Sequence, residues 1–139
     1  MKLQVNTTLA LYSVMEFAAD PERHIPAAEI ASKYDVSAHH LAKVLAELAR
    51  AGIVESVRGV GGGYRFSANA RRLTLMDVIR LFENFAPPDS HRLDADPQAS
   101  TRVDRALDAV LSEIDEVIKA TFSSITLATM LQLVARQRQ

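Results

Sequence analysis

Hydrophobic and polar positions divide the chain into helical and strand-like segments. Up to residue 19 the apolar positions follow a helical period, which predicts a first helix that is capped by Asn6 or Thr7 and ends near Ala19. A short extended piece at residues 24–26 precedes a second helix at residues 27–34. We expect the chain then to turn into a third helix, with Ser37 as its N-cap. This order predicts a helix-turn-helix.

The third helix has one apolar face and one polar face. Its apolar positions recur at the spacing of a buried stripe: Leu41, Val44, Leu45 and Leu48. The opposite face carries His39, Lys43, Ala46 and Arg50, with His40 and Glu47 at its flank. Gly52 stands where a left-handed C-cap belongs, so the helix is predicted to end there.

A glycine cluster with arginines follows this helix. Residues 53–57 and 64–66 read as short strands, and residues 58–63 between them supply four glycines and Arg58. The pattern predicts a β-hairpin whose tip is formed by the glycines, which is the wing of a winged helix. A glycine-rich loop can also cradle phosphate, but nucleotide-binding loops lead from a strand into a helix, whereas this one leads into a second strand.

The second half of the chain predicts a long, unpartnered helix. Thr74 to Asp77 resembles a capping box that opens a fourth helix through Asn84, and residues 87–100 read as a linker or disordered loop. An apolar stripe of about 3.5-residue spacing favours a partner helix over packing on its own domain. A last helix is expected from Leu127 to about Arg136. The stripe contains Val103, Leu107, Val110, Ile114 and Val117, and Leu111, Ile118, Thr121 and Phe122 extend or widen it.

Composition shows that charge is unevenly distributed along the chain and that cysteine chemistry is excluded. The 139 residues carry a net charge of −1, but between Lys43 and Arg72 six basic residues accompany two acidic ones. This local excess of positive charge favours an anionic partner. Alternatively, the charged residues only keep exposed faces of the protein solvated. The chain has no cysteine, which removes disulfides and thiolate ligands. With no secretory signal pattern and no long apolar run, a cytoplasmic location is expected.

These elements predict a mostly helical α+β fold, a winged helix-turn-helix with a long C-terminal dimerisation helix. We divide it into a DNA-binding domain at residues 1–86, a flexible loop at residues 87–100, and a dimerisation helix with a last helix at residues 101–139. No Ser–His–Asp order, metal motif or phosphate loop supports an enzyme. A winged helix that binds an acidic protein instead of an operator remains the alternative.

Several motifs resemble the Rrf2 family of bacterial transcription regulators. They are Ile30-Ala31, His40 to Leu45, Leu48 to Val54, Arg58-Gly59 with Gly62 to Arg65, and Ile125 to Leu127. The resemblance implies a homodimeric regulator that binds a palindromic operator as double-stranded DNA, most simply as a repressor. Sensors in the family hold an iron–sulfur cluster with three cysteines in the segment that corresponds to about residues 89–104.

The absence of cysteine therefore predicts a member without that cluster. A metal site built from His91, Asp94, Asp96 and Asp104 is disfavoured, because carboxylates in a loop are usually solvated. Adjacent His39 and His40 point in different directions on a helix and cannot chelate one ion. What regulates the protein stays open: an effector ligand, a partner protein or oxidation of one of the four methionines.

The DNA contacts are predicted on the third helix and the wing. The helix would enter the major groove, Arg58 would reach the minor groove, and Tyr64 is more simply a core anchor than a base stacker. Ala42 leaves room only for contact with a thymine methyl group. Arg65 either contacts the DNA backbone or faces solvent. The predicted DNA-binding residues are Ser37, His39, His40, Lys43, Arg58, Gly59, Gly62 and Arg65.

Overall fold

The computed structural model describes residues 1–59, 61–85 and 101–137. The predicted linker at residues 87–100 and most of the disfavoured metal site lie outside these ranges. The described chain is mostly helical with one two-stranded antiparallel sheet, as predicted. Its elements are α1 Val5–Ala19, α2 Ala27–Lys33, α3 Ala38–Arg50, β1 Val54–Val57, β2 Gly63–Phe66, α4 Leu75–Ile79, α5 Arg102–Ser123 and α6 Leu127–Arg136.

Helices α2 and α3 form the predicted helix-turn-helix. The turn passes through Asp35, whose φ of 52° is left-handed, and the Val36 N–H donates to the Ala31 carbonyl at 2.9 Å. The apolar face of α3 is buried against α1, α2 and β1, as its spacing predicted. Gly52 ends α3 with a φ of 78°, and the Ile53 N–H donates to the Leu48 carbonyl at 3.0 Å. This bonding closes the predicted left-handed cap.

The wing is a hairpin braced by a third extended segment. Strand β1 pairs with β2 in the register Val54 with Phe66 and Val57 with Gly63. Ile25 forms a further bridge to Tyr64, with both backbone N–H···O distances at or below 2.9 Å. The predicted extended piece before α2 therefore anchors the wing to the helical core. The Tyr64 ring packs edge-on against buried Phe17 with centroids 6.3 Å apart, in keeping with the core-anchor interpretation.

The prediction of the first N-cap was wrong. Helix α1 begins at Val5, so Asn6 and Thr7 lie inside its first turn, and the N-cap residue Gln4 makes no side-chain capping bond. Glu83 caps the helix from a distance. Its Oε1 accepts the Gln4 N–H at 2.6 Å and the Thr7 hydroxyl at 2.8 Å. A carboxylate at this end also complements the helix dipole.

Helix α4 has the predicted capping box but is shorter than predicted. Thr74 accepts from the Asp77 N–H, and the Asp77 side chain accepts from the Thr74 N–H. After Ile79 two backbone bonds tighten to i−3 spacing, from the Leu81 N–H to Val78 and from the Phe82 N–H to Ile79, and the Ile79 carbonyl also accepts the Glu83 N–H. This tightening ends the α-helix before Asn84.

The C-terminal helices behave differently from each other. Helix α5 buries no residue, whereas α6 begins with fully buried Leu127 in the same core as α1 and α3. The start of α6 is joined to the chain at the start of α4, because the Leu127 N–H donates to the Leu73 carbonyl and the Leu75 N–H to the Ile125 carbonyl, both at 2.9 Å. Among the described residues, no helix combines the length and the apolar character needed to cross a membrane.

Candidate nucleic-acid interface

The exposed face of α3 presents the predicted recognition residues together. His39, His40, Ala42 and Lys43 are all exposed, while Leu41 between them is fully buried. The buried stripe fixes the rotation of the helix, so the polar face points outward. Farther along, Arg50 bonds Glu47 at 2.6 Å, and this pair neutralises the C-terminal part of the face. The positive charge of α3 is therefore concentrated at Lys43.

Ser37 has a structural role at the start of α3. Its Oγ accepts the His40 N–H at 3.3 Å, which confirms the predicted N-cap. The residue is exposed, and its hydroxyl hydrogen can still be donated outward. The first turn of α3 carries no acidic residue, so the partial positive charge of the helix N-terminus is not offset there. This geometry can hold a phosphate.

The wing tip presents Arg58 and backbone, as predicted. Arg58 and Gly59 are exposed, and Gly59 has a φ of 105°, in the left-handed region that favours glycine. The Gly62 N–H closes the tip by donating to the Gly59 carbonyl at 2.9 Å. At Gly62 an added Cβ would lie 2.5 Å from the Val57 carbonyl oxygen, so only glycine fits this turn. Val60 lies outside the described residues.

Arg65 is positioned differently from Arg58. It stands opposite Glu55 in the sheet register, and its guanidinium bonds the Glu55 carboxylate. The two side chains are 40% and 46% exposed, so the pair lies at the surface of the wing and contributes little to stability. Because Glu55 partly neutralises the Arg65 guanidinium, Arg65 presents less net positive charge at the surface than Arg58.

One exposed pair of arginines was not assigned from the sequence. Arg71 and Arg72 lie in the turn between β2 and α4, and both are exposed. The turn is shaped by Asn69, whose Oδ1 accepts the Arg71 N–H at 3.0 Å. The sequence did contain a signal for this exposed pair, an asparagine followed closely by consecutive basic residues, because Asn side chains commonly close turns.

Helix α5 exposes the whole of the predicted apolar stripe. The exposed fractions are 75% for Val103, 55% for Leu107, 52% for Val110, 49% for Ile114 and 65% for Val117. The helix has 22 residues, so the stripe runs along a rod about 33 Å long. Single exposed apolar residues are ordinary, but a continuous row of five along one helix is typical of a contact surface.

Several proteins with a similar sequence and fold are named as transcription regulators. Residues 3–133 match the family Rrf2, which is described as "Iron-dependent Transcriptional regulator". BadM of Rhodopseudomonas palustris, named as an HTH-type transcriptional regulator, is 45% identical over 139 residues, covering 100% of this chain and 86% of BadM. The HTH-type transcriptional regulator IscR of Vibrio campbellii is 30% identical over 103 residues, which is 73% of this chain and 61% of that protein.

Solved structures agree in fold. T. potens IscR superimposes with a TM-score of 0.78 at 25% identity, covering 100% of this chain and 92% of that chain. CymR, the global cysteine regulator of B. subtilis, gives a TM-score of 0.75 at 24% identity, covering 96% and 98%. The chain is a member of the Rrf2 family of winged-helix, DNA-binding transcription regulators.

Proposed function

We propose that this regulator is a homodimeric repressor that binds a palindromic operator. The observation that carries the proposal is the exposed apolar stripe on α5, which stands beside a complete winged helix-turn-helix. Two copies joined along α5 would present two α3 helices related by a two-fold axis. Such a dimer reads half-sites about 34 Å apart, which is one turn of DNA.

In this proposal α3 lies in the major groove and the wing lies over the adjacent minor groove. Lys43 donates to a guanine edge, while Ser37 and the helix N-terminus hold a phosphate. His39 and His40 flank these contacts. Arg58 enters the minor groove, and Gly59 and Gly62 allow the protein backbone of the wing to approach the DNA closely. Arg65 contacts the DNA backbone only if it gives up its bond to Glu55. Tyr64 stays in the core of the wing.

The regulator is further proposed to work without an iron–sulfur cluster, and so without a response to oxygen or nitric oxide through one. The family is described as iron-dependent, but this chain contains no cysteine. Clusters are held chiefly by cysteine thiolates, and histidine replaces only some of them in known variants. Iron and sulfide analysis after anaerobic purification tests this point, and stoichiometric amounts of both would contradict it.

The wing and the recognition helix can be tested separately on operator DNA recovered with the purified protein. Arg58→Ala is expected to weaken binding to all sequences and to lower the salt dependence, because it removes a phosphate-neutralising charge. Lys43→Ala should cost about 1–3 kcal/mol and relax the preference at one base pair. Glu113→Ala, on exposed α5, is the control. Affinities measured at several salt concentrations on operator and random DNA distinguish these outcomes.

If Lys43→Ala lost the same affinity for operator and for random DNA, Lys43 would contact only phosphate. If Arg58→Ala left binding and its salt dependence unchanged, the wing would not touch DNA. Salt-insensitive binding by the unaltered chain, without sequence preference, would favour the alternative, a winged-helix module that binds an acidic protein.

The dimer is tested by placing a charge in the middle of the stripe. Ile114→Glu should shift the chain from dimer to monomer and abolish tight binding to the full palindrome, because two buried carboxylates would face each other without partners. Glu113→Gln, the adjacent exposed residue, should leave the dimer intact. Sedimentation at micromolar concentration measures both. A monomeric unaltered chain, or equal affinity for half-site and palindrome, would contradict the proposal.

A further inference from the structure

A cleft of about 430 Å³ is lined by none of the predicted DNA-binding residues. Four helices form the cleft: α1, the end of α2, the first residue of α4, and α6. Its wall is mostly apolar, and the side chains that line it include Leu11, Met15, Leu75, Met130 and Leu131. Its size falls within the range of small-molecule pockets, which is about 300–1,000 Å³.

One end of the cleft carries an aromatic and polar cluster. The Tyr12 and Tyr34 rings stack with centroids 4.7 Å apart at 16°. Glu16 Oε1 accepts both from Lys33 Nζ at 2.5 Å and from the Tyr34 hydroxyl. Burial raises the pKa of the Glu16 carboxyl, but these two bonds together with the positive charges of Lys33 and Arg23 outweigh burial and hold the pKa below its usual range. Burial together with the bond to Glu16 raises the pKa of Tyr34, so its hydroxyl remains a donor.

The charges of this cluster already cancel. Glu16 is matched by Lys33, and nearby Arg23 is matched by Glu29. A ligand carboxylate would therefore lie beside Glu16 and be repelled by its negative charge. A ligand ammonium would lie beside Lys33 and be repelled by its positive charge. An uncharged polar group meets no such penalty, because Lys33 has further N–H donors and the Tyr34 oxygen has a free lone pair in the described bonding.

We propose that this cleft is an effector site for an uncharged, predominantly apolar small molecule that stacks on the tyrosine pair and places one polar group at Glu16 and Lys33. Such a ligand would bridge α6 and the end of α2. Tyr34 directly precedes Asp35, the turn into α3, so occupancy of the cleft acts on the orientation of the recognition helix. The consequence for operator binding rests on the proposed function, whereas ligand binding itself does not.

The test uses two dyes that share one scaffold. N-phenylnaphthylamine is uncharged, and anilinonaphthalene sulfonate adds an anion to the same rings. Fluorescence titration of the full chain without DNA should give an affinity for the uncharged dye about tenfold higher than for the anionic dye, a difference of about 1.4 kcal/mol. Equal affinities, or no binding of the uncharged dye because a second copy covers the cleft, would overturn the proposal.

Two variants locate the binding and its charge preference. Ala19→Trp places an indole in the cleft from an exposed position at the end of α1, and it should weaken binding of the uncharged dye at least tenfold. Ala28→Trp, exposed on α2 and away from the cleft, is the matched control. Glu16→Gln leaves Lys33 uncompensated and should reverse the preference toward the anionic dye. Unchanged binding by Ala19→Trp, or an unchanged preference with Glu16→Gln, would contradict the proposal.

Operator affinity is measured separately, with and without the uncharged dye. A change in affinity that Ala19→Trp removes would identify the cleft as regulatory. Dye binding with no change in operator affinity would leave a ligand site but overturn its role as an effector site. Absence of any operator binding, with dye binding intact, would count against the proposed function instead.

Discussion

Glu83 fixes the start of a helix that lies 76 residues earlier in the chain. Its carboxylate replaces the local cap expected from Asn6 or Thr7 and satisfies the Gln4 N–H at the beginning of α1. The local caps were predictable because each depends on residues within three positions, as at Ser37 and Thr74. The cap from Glu83 was not, because nothing near residue 4 in the sequence points to residue 83.

Glu83→Ala should lower the free energy of unfolding by about 1–2 kcal/mol, because it leaves a helix-terminal N–H and a buried hydroxyl without their acceptor. Glu22→Ala, an exposed carboxylate beyond the other end of α1, is the matched control and should have almost no effect. Urea denaturation measures both. Equal stabilities for the two variants would show that water replaces the Glu83 carboxylate at no cost.

At the scale of elements, apolar spacing predicted where helices lie but not what covers them. The stripe of α3 is buried in the core and the stripe of α5 is exposed, in keeping with the predicted difference between them, but the identity of the partner that covers α5 cannot be read from the spacing. Helix α4 was predicted too long because the apolar residues Leu81 and Phe82 continue its period. The backbone tightens there and carries Glu83 back to α1, a tertiary constraint that overrides the local pattern.

Gly62→Ala tests how rigid the wing must be. The added methyl would meet the carbonyl oxygens of Val57 and Gly59 at 2.5 and 2.8 Å, and backbone atoms cannot move aside as a flexible side chain can. We expect faster amide hydrogen exchange in β1 and β2 and weaker DNA binding. Ser56→Ala, exposed on β1, is the control. Exchange rates in Gly62→Ala that match those of Ser56→Ala would mean that the tip absorbs the clash.

At the scale of the molecule, the division into a DNA-binding domain and a C-terminal dimerisation unit stays a prediction. The structure adds that Leu127 from the C-terminal unit is fully buried in the core that also holds Phe17, Leu41 and Leu45. The candidate DNA-binding residues could be read from the sequence because helix period and glycine clustering are local. The cleft could not, since it is formed by helices from both ends of the chain.

Leu127→Ala should lower the free energy of unfolding by about 2–5 kcal/mol, the usual range for removing a buried leucine side chain. Leu133→Ala, on the same helix and 41% exposed, should cost less than about 0.5 kcal/mol. Thermal and urea unfolding of both variants give the comparison. Similar losses for the two leucines would show that α6 is only loosely attached to the core.

The bonds between the start of α6 and the start of α4 also bear on how the protein folds during synthesis. During synthesis the winged helix leaves the ribosome first, and domains ordinarily fold as units in that order. Here a fully buried side chain of the core arrives only with residue 127, after the winged helix and α5. A nascent chain that ends before α6 therefore has every recognition residue but an open core. The α5 stripe is therefore synthesised before the core of the DNA-binding domain can close.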